Sequence, residues 1–459
     1  MRKNKFLNMT LGVACSLLFA SCSKDNDRKD SPNIIIINAD DMGYGDLGAY
    51  GHPSVATPHI DRMANEGLKF NSFYTASAVC SPSRGGLMTG RLPVKTGLYG
   101  DRRVVLFPQS VKGMPKEEQT IAELLNEQGY STALVGKWHL GHLKEYMPNQ
   151  HGFDYFYGLP YSNDMCTGWG RKKPKGYPDL PFYENEKLLE VEPAQDVLTK
   201  RYTEKSLEFI RSNSEKPFFL YLAYAMPHVP ITASADFAGR SLNGEYGDTI
   251  EEIDWSVGQI LNELRKSGLD KNTLVFFTSD NGPAVYWNLQ GGFSGHLRNG
   301  KGTTWEGGMR VPGIAWMPGT VKPGVFRGIA SQMDLIATAA DMTASKDKVR
   351  NPLDGRSLLP AFNAEVDQIH KNFFYYQGSE LSAVRKGPWK MYLTTYGDRF
   401  GKYPKKNHEE SPMLFNVDVD PTERFDMAEK HPEIVEDLKG LAEKQKKETV
   451  VKKSLFDTF

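Results

Sequence analysis

Two pairs of oxygen-bearing side chains stand out, Asp40-Asp41 in "INADDMGYGD" and Asp280-Asn281 in "FFTSDNGP". Each follows an apolar run, and neither has a His or Cys beside it. A metal held there would be a hard divalent cation such as Ca²⁺ or Mg²⁺. Taken singly, either pair reads as a turn or a helix N-cap; two such pairs ending two strands point to a metal corner. Cations recur in similar settings. "VGKWHLG" sets Lys137 and His139 two residues apart, on one side if the backbone stays extended. "MPHVP" holds His228 between two prolines, and "LRNGKGTTWEGGMRVP" places Lys301 in a glycine-rich bend. Any one of these is an ordinary surface residue. Facing a metal together, they suit the oxygens of an anionic ester.

The stretch "TASAVCSPSRGGLMTGRLP" adds a thiol. Pro82 suits the first turn of a helix, which puts Cys80 at its amino end among free backbone N–H groups. Arg84 lies one turn later and can return over the same face. A thiolate would be stabilised there, so an unmodified cysteine nucleophile is one reading. A buried structural cysteine fits poorly with the Ser, Pro, Arg and Gly around it.

The elements that position these residues follow from periodicity. "NIIIINA" is an uninterrupted apolar run and reads as a buried parallel strand. "HIDRMANEGLKF" reads as helix. "EQTIAELLNEQGYSTALVGKWHLG" reads as helix, glycine stop, strand and loop. "TEKSLEFIRSNSEKPFFLYLAYAMPHVP" and "DTIEEIDWSVGQILNELRKSGLDKNTLVFFTSDNGP" repeat the helix-to-strand theme. Alternation of this kind predicts an α/β fold, a large mostly parallel sheet with helices on both faces. Ligands bind such sheets beyond the carboxyl ends of the strands, where all the polar clusters fall. After residue 345 short aromatic strands, turns and an amphipathic helix predict a smaller C-terminal α+β subdomain over 346–459, built on an antiparallel sheet.

Composition narrows the class. The chain of 459 residues carries 56 Lys plus Arg against 56 Asp plus Glu, so bulk charge gives no surface for nucleic acid, and no nucleic-acid partner is expected. The 43 Gly, 27 Pro and 11% aromatic residues suit a loop-rich enzyme rather than a helical bundle. Residues 1–21 read as an export signal, with a basic start and an apolar stretch too short to span a bilayer. "FASC" resembles a bacterial lipobox, which implies lipidation at Cys22, a polar tether over 22–31 and a membrane-anchored place in the bacterial envelope, periplasm or cell surface; the α/β pattern after the tether is expected to form a catalytic domain over 32–345. Of four cysteines, Cys80 and Cys166 remain in the mature domain, too few for a disulfide framework.

Cys80-Ser81-Pro82-Ser83-Arg84, continuing to Leu87, Thr89, Gly90 and Arg91, resembles the signature of the formylglycine-dependent sulfatases of the alkaline phosphatase superfamily. "GKWHLG", "FFTSDNG" and "GKGTTWEGGMR" follow in family order, closest to the arylsulfatase A and galactosamine-6-sulfatase branch. The resemblance implies that a maturation enzyme oxidises Cys80 to Cα-formylglycine. Its hydrate attacks sulfur with one hydroxyl, and the other expels sulfate as the aldehyde re-forms. It implies Ca²⁺ on Asp40, Asp41, Asp280, Asn281 and modified Cys80. Arg84 and Lys137 hold the hydrate, and His139 takes its second proton. His228, as general acid, and Lys301 meet the leaving oxygen and sulfate, and "GLPYSND" adds Ser162. The implied substrate is a sulfated glycan, with exo action on O-sulfated galactose or N-acetylgalactosamine expected, 3-O before 6-O. Loop residues Asp101, Arg102, Asn163, Asp164, His296 and Arg298 are candidate sugar contacts. A phosphate or phosphonate monoester hydrolase on the same scaffold and a non-catalytic glycan-binding lipoprotein stand as alternatives.

Overall fold

The computed structural model describes residues 31–167, 177–395, 406–408 and 410–458. The expected export signal, Cys22 and all but the last residue of the tether lie outside them. Strand β1 (Asn33–Ala39) is buried throughout. Its isoleucines alternate between two apolar layers, Ile35 and Ile37 in one and Ile34 and Ile36 in the other. A strand covered on both faces leaves no side for polar residues, which is why the run is unbroken. Each buried isoleucine contributes about 1.5–3 kcal/mol by leaving water.

Nine further strands complete the main sheet: β2 (Leu68–Tyr74), β3 (Ser131–Lys137), β4 (Tyr155–Leu159), β5 (Pro181–Glu184), β6 (Lys187–Val191), β7 (Phe218–Ala223), β8 (Thr273–Ser279), β9 (Arg310–Trp316) and β10 (Gly324–Ser331). Their order is β10-β2-β9-β8-β1-β7-β3-β4-β5-β6. The stretch β8-β1-β7-β3-β4 is parallel throughout, whereas β9 runs antiparallel to both neighbours and β5 and β6 add an antiparallel edge. Helices Pro58–Glu66, Leu198–Ser212 and Gly244–Lys266 cover one face; Cys80–Thr89, Ile121–Asn126 and Asp334–Met342 cover the other.

One sequence expectation fails here. The helix read over "HIDRMANEGLKF" stops at Glu66, and Leu68 already opens β2. Gly67 breaks the helix, after which Leu68 and Phe70 are buried and Lys69 and Asn71 are not, a period of two that belongs to a strand.

The small antiparallel sheet comprises β11 (Asn372–Gln377), β12 (Glu380–Lys386), β13 (Trp389–Tyr392) and β14 (Met413–Asn416), backed by the helix Pro432–Glu448. Its core is shared: Tyr74, Trp305 and Met309 of the large domain pack with Tyr375, Tyr392, Phe415 and Leu438. The expected boundary at 345/346 falls between the helix Asp334–Met342 and β11. Beyond the final helix, residues 452–457 return to the large domain: Lys452 N–H bonds Val94, Tyr99 donates to the Lys452 carbonyl at 2.7 Å, and Phe456 is fully buried. No helix among the described residues is long and apolar enough to cross a membrane.

Candidate active site

Adjacent parallel strands deliver the site. Asp40 and Asp41 follow β1, Asp280 and Asn281 follow its neighbour β8, His228 follows β7 on the other side, and Lys137 ends β3. Gly136 makes the last placement possible. At its φ of +118° a Cβ would sit 1.8 Å from the Ala223 carbonyl oxygen, so only glycine lets β3 stay against β7 and carry Lys137 to the strand end. At Asp41 a φ of 67° breaks the extended alternation that would send neighbouring carboxylates to opposite faces.

The four oxygen-bearing residues are at most 3% exposed. Asp280 Oδ1 accepts the Asp41 N–H at 3.1 Å, and the Asn281 amide donates to Asp41 Oδ1 at 2.7 Å. Asn281 Oδ1 is buried without a hydrogen-bond partner. Ligating atoms of Asp40, Asp41, Cys80 and His228 all lie within 4.8 Å of one another. Three carboxylates plus an unsatisfied amide oxygen form a hard donor set, and these residues fit a divalent cation of the Ca²⁺ type.

The cations interlock with the carboxylates. Arg84 Nε bonds Asp280 Oδ2 at 2.9 Å, its Nη1 bonds the Lys137 carbonyl at 2.8 Å, and Nη2 lies 3.5 Å from Asp40 Oδ2. Lys137 Nζ contacts Asp40 Oδ2 and donates to Ser162 Oγ at 3.0 Å. Lys301 Nζ donates to Asp41 Oδ2 at 2.7 Å, and His228 Nε2 is 3.6 Å from the same oxygen. Burial alone would raise the Asp40 carboxyl, but Lys137, His228, Arg84 and Lys301 outweigh it and hold the group below the usual carboxylate range. Burial and the charge of Asp40 push Asp280 up, to about 6.

Cys80 is the first residue of the helix Cys80–Thr89, and Sγ lies 3.6 Å from Asp40 Oδ1. Burial works against the thiolate expected at this helix end. Burial pushes the thiol up to about 12, with Asp280 and Asp40 adding to the rise and Lys301 and Lys137 opposing it. The rest of the motif builds the walls: Ser81 accepts the Leu106 N–H at 3.1 Å, and Ser83 donates to the Asp280 carbonyl. His139 has a φ of 61°, so the extended spacing assumed for Lys137 and His139 is interrupted. Its Nε2 lies 2.9 Å from the Leu106 carbonyl, and burial, together with Lys137 and Arg84, holds the imidazole well below its usual range. No disulfide joins Cys80 and Cys166.

A cavity of about 240 Å³ opens over Cys80, lined by His139, Ser162, Asp164, His228 and Lys301. Its remaining wall is Val105, Phe107, Met165, Val229, Tyr286 and Trp287. Of the loop candidates, Asp164 alone lines it. Asn163 lies just behind, fully buried and bonded to Gln195 at 2.8 Å. Asp101 instead accepts from Ser379 N–H at 2.8 Å, and the Arg102 N–H bonds Asp457 at 3.2 Å. Arg298 donates to the Glu423 carbonyl at 2.5 Å with its guanidinium over Trp305, and His296 packs edge-on to Tyr44. These four serve contacts outside the cavity, three of them with the C-terminal residues. The aromatics Phe107, Tyr286 and Trp287 carry no mark of their own in the sequence, where nothing separates a loop aromatic that faces a ligand from one that packs inward.

The Sulfatase family profile matches residues 32–345, and a second, described as the C-terminal region of aryl-sulfatase, matches residues 368–459. The chain belongs to the sulfatase family. It is 40% identical over 429 residues to N-acetylgalactosamine-6-sulfatase of Rattus norvegicus, covering 86% of this chain and 81% of that one. Arylsulfatase A of Bos taurus is 38% identical over 456 residues, covering 93% and 87%. The solved structure of Ps i-CgsB in complex with k-i-k-neocarrahexaose superposes with a TM-score of 0.77 at 30% identity, covering 92% of this sulfatase and 94% of that chain. The protein is thus a sulfuric ester hydrolase, with the sulfatase fold and a buried cluster able to take a divalent metal.

Proposed function

We propose that this sulfatase is an exo-acting carbohydrate sulfatase that removes sulfate from a terminal O-sulfated galactose or N-acetylgalactosamine. The observation that carries this is the cavity: about 240 Å³, lined by Cys80, Lys301, His139 and His228 together with Phe107, Tyr286 and Trp287. That volume lies below the roughly 300–1,000 Å³ of ordinary ligand pockets, so it suits one sugar ring and its sulfate rather than the middle of a chain. Aromatic faces beside a few polar groups suit the mixed faces of a sugar ring. The family resemblance implies the 3-O position before 6-O, but similarity to an N-acetylgalactosamine-6-sulfatase supports 6-O, which we place first.

Asp40, Asp41, Asp280 and Asn281, with the modified residue 80, would hold Ca²⁺. The ion supplies positive charge beside the ester, and a formylglycine at residue 80 supplies, as its hydrate, one hydroxyl to attack sulfur and a second to release sulfate. The chain's own groups do the remaining work. Arg84 and Lys137 orient the residue-80 side chain, Lys137 with Ser162 beside it. His139 is held neutral and accepts a proton. His228 donates one to the departing sugar oxygen, and Lys301 neutralises ester oxygen charge. The net charge of the cluster supports this: three carboxylates balance Arg84, Lys137 and Lys301, so a bound divalent cation leaves the site positive and matched to an anionic ester. Maturation of Cys80 by a formylglycine-generating enzyme, export, and lipid anchoring through Cys22 in the envelope complete the proposal.

The test is sulfate release by protein whose conversion at Cys80 is established by mass spectrometry, on galactose and N-acetylgalactosamine bearing 3-, 4- or 6-O-sulfate, beside a phosphorylated control. Release from one regioisomer supports exo action and names the position. Activity on the phosphate ester alone, or glycan binding without release, would favour the alternatives. Cys80→Ala should abolish turnover with the fold intact, and an active variant would remove the mechanism.

A further inference from the structure

The loop that carries Lys301 is held from both sides. From the large domain, Lys301 N–H bonds the Pro283 carbonyl and Gly302 N–H bonds the carbonyl of Ala78, two residues before Cys80. Within the large domain Tyr74 and Arg310 also bond Glu306, and the small sheet and its connections supply further holds. Gln377 donates to the Gly302 carbonyl at 3.3 Å, Tyr392 to the Thr304 carbonyl at 3.0 Å and Lys390 to the same carbonyl at 2.8 Å. Lys390 is fully buried and bridges two buried carboxylates, Glu306 at 2.9 Å and Glu423 at 3.1 Å. Glu423 in turn accepts the Glu306 N–H at 2.8 Å. Burying a Glu–Lys–Glu triad costs desolvation that well-packed apolar residues would avoid, so stability is a weak reason to keep it. A satisfied buried triad can fix a backbone register. Here that register is the path of residues 302–306, next to the lysine that reaches Asp41.

We propose that Lys390 is a positioning residue of the sulfatase site, acting through Lys301: from the small sheet it sets where the loop presents the Lys301 ammonium. The inference rests on the reading of Lys301 as a cation of the reaction.

The experiment is a double-mutant cycle on sulfate release. Lys390→Met and Tyr392→Phe are each made in the wild-type and the Lys301→Ala backgrounds, and kcat and KM are followed over a few turnovers. In the wild-type background we expect Lys390→Met to lower kcat/KM about 100-fold, the scale of a catalytic group displaced by about 1 Å. Tyr392→Phe, which removes one hydroxyl and keeps the ring on Trp305, should lower it about 10-fold. In the Lys301→Ala background both losses should shrink to under about 3-fold, because the group being positioned is gone. Equal losses in both backgrounds would mean that Lys390 only stabilises the fold and would overturn the inference, as would wild-type kinetics for both variants. If Lys390→Met does not fold, Tyr392→Phe gives the same comparison. Wild-type kinetics for Lys301→Ala would overturn the role of Lys301 itself, and the inference with it.

Discussion

The side-chain amide of Asn281 donates to Asp41 Oδ1 across 2.7 Å, and its own Oδ1 is buried with no partner. A buried amide oxygen left bare costs about 1–3 kcal/mol, so the arrangement is complete only when something positive meets it.

Calcium should therefore stabilise the folded chain and not merely activate it. At 100 times its dissociation constant the ion should add about 2.7 kcal/mol, read as a rise in Tm over protein in excess chelator. Asn281→Leu keeps the volume, removes the oxygen and should weaken binding at least 10-fold, shrinking the rise. An undiminished rise would place the ion elsewhere.

Trp287 lines the cavity but makes no contact with Cys80 chemistry in the proposed scheme. Trp287→Ala should raise KM for a sulfated sugar about 10-fold, the worth of one aromatic face, with kcat changed less. Losing kcat alone would contradict a role in holding the sugar.

His151 is fully buried, stacked on Trp138 behind β3, and burial with the charge of Lys116 lowers it from 6.5 to about 4. Between those values the unfolded chain binds a proton that the folded chain refuses, so stability must fall as pH drops from 6.5 to 4, by roughly 3 kcal/mol in all. His151→Leu should remove that part of the acid sensitivity. The measurement is chemical denaturation of both proteins across the window, and parallel curves would refute the assignment.

Gly136→Ala should be severely destabilising, about 3 kcal/mol or more, because the new Cβ lands on the Ala223 carbonyl at a positive φ. Any folded fraction should also lose activity through the displaced Lys137. A Tm within two degrees of wild type, by the usual conversion for a chain of this size, would show that β3 can shift freely.

Much of this was legible because each central strand declares itself twice, as an apolar run and as the polar cluster that ends it. Asp40, Asp280, Lys137 and His228 could be grouped from sequence since parallel strands place their carboxyl ends together, and the structure joins them. What escaped depends on partners hundreds of residues away. Asp101 and Arg298 look like free charged loop residues until Ser379 and Glu423 are brought to them. The helix end favours a Cys80 thiolate, yet local sequence carries no measure of burial, and burial pushes the thiol the other way. Lys390 sits in an ordinary strand, and nothing near it in the chain marks it as the partner of a loop more than 80 residues earlier.

The depth of Cys80 also sets a schedule. It is 2% exposed, every residue of its helix is buried, and the segment that follows is tied down by Ser454, which donates to the carbonyl of Tyr99, 355 positions earlier. The maturation enzyme proposed above would find this side chain shut away in the finished molecule, so it would have to act on the chain while still open, between synthesis of the motif and arrival of the segment that closes over its neighbour. Faster folding would then work against that conversion.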